Sequence, residues 1–383
     1  MLSRDEESPL PTTEAFRAFT HGNQVKTQKA FCAPIPHTRS AGPSMTNLFR
    51  NEREGRPRAL WRLLLQFVLY AAGTALLANL MFAAFALFGG ASLGSESVER
   101  LATSPAFLAA NAAASLVAGL VSVWLAARFL DHRSFSEFGL HPKDPGWWLD
   151  LGFGLFLGAL LMTGIFLVEL QLGWIQVTGT FETVGTAHAP FFPTILAPAV
   201  LFLCVGIYEE LFSRGYQLQN MAEGLNFPSL GPRGAVVAAW VISSSLFGLL
   251  HLANPNATVI STVNIAFAGL LLGTGYLLTG RLAIPIGLHI TWNFFQGNVF
   301  GFPVSGLKPL GATFISVEQG GPPLWTGGIF GPEAGLLEIV AAVTGGLLIL
   351  LWVRVRSGNV APQTSIAEPP SGETGRTKAP DSG

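Results

Sequence analysis

Long apolar runs recur along the chain, each close to the ~20 residues that an α-helix needs to cross the hydrocarbon of a bilayer. They cover 60–88, 105–129, 147–168, 194–213, 234–252, 259–279, 282–300 and 335–353, and the breaks between them carry Gly, Pro, Asn and most of the charge. Backbone N–H and C=O groups find no water inside lipid and must be satisfied within the segment, so runs of this length specify helices. The chain is 50% hydrophobic and 12% charged, whereas soluble domains carry about 25% charged residues. The expected fold is all-α: a polytopic membrane helix bundle of about eight transmembrane helices.

Basic residues alternate with the runs. Arg50, Arg53, Arg56, Arg58 and Arg62 lead into the first, and Arg128, Arg133 and Lys143 lie between the second and third. Arg214 and Arg233 bound the fourth-to-fifth connection, Arg281 lies between the sixth and seventh, and Arg354 and Arg356 follow the eighth. The other connections carry only Arg100 and Lys308. Cytoplasmic loops are enriched in Lys and Arg, so this alternation puts both termini in the cytoplasm. Net charge is −1, and with no basic stripe or zinc-finger spacing, nucleic acid is not an expected partner.

Outside the bundle, taken as 59–355, the polar tails 1–58 and 356–383 lack any apolar period and are expected to be disordered. Residues 1–58 are not expected to be a signal peptide, since no apolar h-region follows the first charges, and Met45 reads as a natural start for a membrane protein. Cys32 lies in the polar tail and Cys204 in an apolar run, so no disulfide is expected, and Cys204 reads as a small buried hydrophobe.

Within the fourth run stand Glu209 and Glu210, with Arg214 five and four residues on. A carboxylate at the bilayer centre costs roughly 2.5–3.5 kcal/mol on insertion scales, so ionisable groups there are functional by default. Two later runs carry Phe247-x-x-x-His251 and His289-x-x-x-Asn293. The spacing of four puts each pair on one helical face, and the three faces can meet inside the bundle. Such a set contains the parts for hydrolysing an amide. A carboxylate beside neutral imidazoles can activate water as a general base or hold a metal. One glutamate would be the poised base while the other pairs with Arg214, and Asn293 with one histidine could donate to a developing oxyanion.

Blander readings compete. A Glu–Arg pair four apart is usually a structural bridge on a soluble helix. A lone His or Asn in an apolar helix is more often a packed, hydrogen-bonded group. It is the coincidence of three polar faces that favours a site. Phe247 is assigned packing alone, and His21, His37, His132, His141 and His188 fall in tails or connections. Glu169 and Glu338 fall near run ends, where snorkelling or the interface accommodates them. There is no H-E-x-x-H zincin motif. The string GASLG at 90–94 fits G-x-S-x-G, but it follows an apolar run instead of a strand, so Ser92 reads as part of a loop. Gly154/Gly158 and Gly269/Gly273 have the small-residue spacing that lets helices approach closely.

The three motifs, in this order on successive apolar segments, resemble the CPBP family of intramembrane proteases, which includes type II CAAX prenyl proteases and Abi or bacteriocin-immunity-type proteins. The likeness covers about 147–300 and rests on Glu209, Glu210, Arg214, Phe247, His251, His289 and Asn293. It implies an eight-helix bundle with a conical cavity open to the cytoplasm. It implies Glu209 with His251 as the water-activating pair, His289 with Asn293 as oxyanion donors, and Glu210 with Arg214 in support. It also implies a bacterial cell membrane as the setting, with the lipid bilayer and a peptide or prenylated-protein-like substrate as partners. The family is described both as metalloproteases and as glutamate-type proteases. Zinc is therefore a candidate cofactor, with His251 and His289 as its ligands.

Two alternatives differ in class: a non-catalytic immunity or scaffold protein, and a transporter with a Glu/His proton relay. One geometric conflict accompanies the main reading. From a start near Gly234, His251 should lie ~25 Å into the fifth span, whereas His289 would lie only ~10 Å into the seventh. For both to reach Glu209, the fifth helix must begin outside the bilayer, tilt strongly or be broken.

Overall fold

A computed structural model describes residues 46–52, 54–88, 102, 104–183 and 190–370. Expectations that fall elsewhere lie outside the described residues. These include disorder of 1–45 and 371–383, the start at Met45, and the GASLG loop with Ser92.

The principal helices are α1 (Ala59–Phe88), α2 (Pro105–Ala126), α3 (Pro145–Gln171), α4 (Phe191–Glu210), α5 (Gln219–Leu225), α6 (Gly231–Leu250), α7 (Val259–Thr279), α8 (Ala283–Phe294) and α9 (Leu336–Ser357). Strand β1 (Ile175–Thr183) pairs antiparallel with β2 (Ala312–Gln319), in a register that sets Ile175 opposite Gln319 and Thr183 opposite Ala312. This hairpin-like pair joins the connections that follow α3 and α8.

Seven helices among the described residues are long and apolar enough to cross a membrane, and the chain is an integral membrane protein of the all-α, polytopic kind. The expected bundle of about eight apolar helices holds, with α8 shorter than the seven. The run at 282–300 forms the 12-residue α8 and a five-residue π-helical segment, Phe295–Val299. That is only ~26 Å of helix.

The deep start of α8 narrows the depth conflict. α6 runs unbroken to Leu250, so His251 does sit ~30 Å from its start. α8, however, begins well inside α3. A Cβ on Gly154 would stand 2.3 Å from the carbonyl oxygen of Ile284, and one on Gly287 would stand 2.4 Å from that of Leu151. The start of α8 is therefore level with residues six to nine positions along α3, or ~10 Å in. Only glycine permits this backbone contact. The same holds at Gly158 against Leu288, while Gly269 packs on Ser244 and Gly273 on Trp240. The turn between α7 and α8 is short because Gly280, at φ +65°, caps α7 in the left-handed region and donates to the carbonyl of Tyr276 at 2.7 Å.

The bundle has two chemically distinct ends. Among the described residues every Arg and Lys except Arg214 and Lys308 lies at the end where α1, α3 and α6 start and α7 and α9 finish. There Glu223 is gripped by Arg56 at 2.8 Å, Arg62 at 3.0 Å and Arg133 at 2.7 Å. Arg62 also meets Asp131 at 2.7 Å, and the Tyr216 hydroxyl donates to Asp131 at 2.8 Å. Buried charges persist when paired in this way. Above this network lies an apolar layer with Phe138, Leu211, Tyr216, Tyr276 and Leu282 all essentially inaccessible. A second core, around Leu157, Met162, Phe166, Trp292, Phe300 and Phe330, fills the other half.

Three expectations need correcting. Residues 46–58 are not all an unstructured lead-in, since Arg50–Asn51 pairs with Arg56–Pro57 and Arg56 is buried. Residues 358–370 dock on the bundle, with Gln363 N–H on the carbonyl of Leu277 at 2.9 Å and Ile366 and Ala367 buried. Their apolar content is too small for a periodic signal but enough to fill a groove. Glu169 and Glu338 do not snorkel either. Both are inaccessible, Glu169 taking a hydrogen bond from Gln319 at 2.9 Å.

Candidate active site

The sequence-predicted site residues meet around one cavity. α4 carries Glu209 and Glu210 at its end, where the helix widens into a π-helical segment, Leu211–Leu218. Glu210 is fully buried. Its Oε1 accepts from Arg214 at 2.8 Å and from His289 Nδ1 at 2.8 Å. Arg214, 1% exposed, also donates to the carbonyl of Gly269 at 3.0 Å and lies 4.4 Å over the Phe247 ring. Phe247 is thus more than filler, because its face meets the guanidinium and its ring stands nearly perpendicular to His289, with centroids 6.1 Å apart.

Glu209 is placed differently. Its side chain is 23% exposed, Oε2 lies 3.9 Å from His289 Nε2, and Oε1 accepts from the Tyr208 hydroxyl at 3.3 Å. One carboxylate is therefore locked by two cationic or polar partners and the other is open to the cavity. Since a carboxylate can only accept, His289 Nδ1 is the donor to Glu210 and Nε2 is turned toward Glu209.

His251 stands just past the end of α6. Its Nδ1 lies 2.7 Å from the carbonyl of Phe247, and a carbonyl can only accept, so Nδ1 carries the proton and Nε2 keeps its lone pair. His251 lines the same cavity as Glu209, but no ion pair joins the two; the imidazole within 4 Å of Glu209 is that of His289. Asn293, one turn beyond His289 on α8, is buried and also lines the cavity.

The cavity measures ≈ 240 Å³. Its walls are mostly apolar (Phe202, Val205, Leu271, Leu272, Leu288, Trp292), with Glu209, His251, His289 and Asn293 among them. Toward the end opposite the basic one it is walled by 304–310, with Asn254 and Glu333. Sequence reasoning missed Glu333. It accepts from the backbone N–H of Ser305 at 2.6 Å and from the Ser305 hydroxyl at 3.0 Å. Burial pushes its carboxyl above the ordinary carboxylate range, against the hydrogen bonds from Ser305. Its only sequence signal was an acidic residue in a Gly/Pro-rich connection.

Metal binding would need His251, His289 and a carboxylate around one point. Among the described residues no three His, Cys, Asp or Glu side chains are grouped to hold an ion. The donor set as arranged does not fit a metal.

The polytopic helix bundle thus buries a Glu–Arg–His cluster beside an open carboxylate. Residues 190–295 match the family model described as type II CAAX prenyl endopeptidase, Rce1-like. The matched segment runs from α4 to the start of the π-helical turn after α8 and contains all six candidate polar residues, so the likeness read from the motifs is a family match over this segment. No curated protein and no solved structure matches the chain.

Proposed function

We propose that this protein is an endopeptidase that cleaves a peptide bond in or beside the membrane with water activated by Glu209. The observation that carries this reading is the asymmetry of the glutamate pair. Glu210 is inaccessible and neutralised by Arg214 and His289, whereas Glu209 reaches the cavity with few partners of its own.

The residues divide the work as follows. Glu209 takes a proton from water as the hydroxide attacks the substrate carbonyl, and the tetrahedral oxyanion accepts hydrogen bonds from His289 and Asn293. The proton held on Glu209 then passes to the leaving amine as the C–N bond breaks. His251, with its lone pair on Nε2, orients the attacking water. Glu210 and Arg214 fix the His289 ring from behind, as outer partners commonly do for a working imidazole. The apolar walls receive substrate side chains, and the setting proposed is a bacterial membrane with both termini cytoplasmic.

The test is cleavage of an apolar peptide library by purified protein in detergent. Glu209→Gln and His251→Ala should cut cleavage by at least about 10²-fold while the protein keeps its elution profile and helical content. Full activity in either variant removes the assignment. Metal content and chelator sensitivity of the same preparation decide whether zinc takes part.

A further inference from the structure

Three independent features of the bundle bear on the side from which a substrate enters. The first is the position of the walls. Of the residues lining the cavity only Leu307, 50% exposed, and Lys308 are exposed, and both belong to the segment that follows α8. That segment is fixed to neighbours at the same end, through Asn254 Nδ2 on the Ser305 carbonyl at 3.2 Å and Asn256 Nδ2 on the Gly306 carbonyl at 3.1 Å.

The second is what lies at the other end. Below Glu210 and Arg214 the path to the basic end is filled by Leu211, Tyr216, Ala239, Tyr276 and Leu282, each between 0% and 1% exposed. Beneath them the Arg56–Arg62–Arg133 grip on Glu223 and the Arg62–Asp131 pair tie α1, the start of the α2–α3 connection and α5 together. A chain entering there would have to separate buried ion pairs, which costs several kcal/mol per pair broken.

The third is charge. The walled end carries Glu169, Glu182, Glu318, Glu333 and Glu338, and among the described residues its only Lys or Arg is Lys308. The basic end is the cytoplasmic one by the positive-inside bias. A cavity open to the cytoplasm and a cytoplasmic basic end cannot both hold for this bundle.

Building on the endopeptidase reading, we infer that the cavity opens on the extracytoplasmic side, past Leu307 and Lys308, and that its substrates are peptide segments presented there. Such a substrate is an exported peptide or the outer end of a membrane-spanning segment, with apolar side chains for the Phe202, Leu271, Leu272 and Trp292 walls. A lipidated protein docking from the cytosol is not.

The experiment separates access from catalysis. In a chain with Cys32→Ser and Cys204→Ser, single cysteines are placed as Leu307→Cys, Lys308→Cys and, as the opposite-face control, Arg233→Cys. Each is treated with a membrane-impermeant maleimide in intact spheroplasts and in inverted vesicles. Leu307→Cys and Lys308→Cys should be labelled in spheroplasts and not in inverted vesicles, and Arg233→Cys the reverse. Labelling of both loop cysteines from the inverted side, from both sides or from neither overturns the inference. The readout needs no cleavage. In parallel, a fluorogenic apolar peptide that cannot cross membranes is added to spheroplasts. Cleavage lost with Glu209→Gln supports both readings, whereas outside labelling without cleavage in spheroplasts or detergent leaves the access side standing and removes the endopeptidase reading.

Discussion

Replacing Arg214 with Met tests whether the glutamate pair is divided as its geometry indicates. Methionine keeps the stem volume but deletes the guanidinium that donates to Glu210 at 2.8 Å and to the Gly269 carbonyl at 3.0 Å. Both partners of the ion pair are at most 1% exposed. Removing one partner of a buried pair typically costs about 3–5 kcal/mol, because the other charge is left uncompensated. Glu210 would retain only His289 as partner, since its second oxygen has none. The lost contact with the Phe247 face is contained in that total and not added to it, since contacting groups are not additive. Arg214→Met is therefore expected to lower unfolding free energy by about 3–5 kcal/mol, measured by SDS titration in mixed micelles. The double variant Glu210→Gln with Arg214→Met should recover more than half of it, because the stranded charge is gone. A single-variant cost under about 1 kcal/mol would place the pair with weak surface bridges and refute its supporting role. So would a double variant no better than the single.

Three further outcomes follow from the same geometry. Glu209→Gln should reduce cleavage by about 10²–10⁴-fold, the usual worth of a positioned general base, with an unchanged SDS midpoint; equal losses of activity and stability would make Glu209 structural. Gly158→Ala puts a Cβ 2.4 Å from the Leu288 carbonyl, so it should cost about 1–3 kcal/mol and lower activity by displacing His289; an unchanged midpoint would deny the close contact. Glu333 has a raised folded-state value through burial, so its ionisation as pH rises works against folding. Glu333→Gln should therefore melt above the parent at neutral and alkaline pH, with the gap closing on acidification through the raised value, as read by thermal unfolding across pH.

Much of this was legible because lipid permits few choices. Apolar runs of spanning length left only helices, and a Glu pair, two His and an Asn in such runs had to gather away from acyl chains. What escaped was whatever depends on relative height. Nothing in the composition of 282–300 showed that α8 starts deep, since that is set by backbone contact at Gly154, Gly158 and Gly287. The pairing of Glu209 with His289 rather than His251 follows from the same offset. The docked residues 363–367 are too short to carry a period, and strands β1 and β2 find each other only across the long stretch between 183 and 312. Glu223 and Asp131 were passed over because their arginine partners are 90 or more positions away or, like Arg62 to Asp131, 69 apart.

The widened helical turn at Leu211–Leu218 sets the phase between two charged clusters on one rod. Upstream, Glu210 looks toward His289; downstream, Glu223 looks toward three arginines. Excising a single residue from that stretch would swing one cluster about 100° relative to the other. The chain could then keep its hydrolytic constellation or its anchored amino-terminal segment, but not both, so the length of this stretch is as constrained as the identity of the acids it separates.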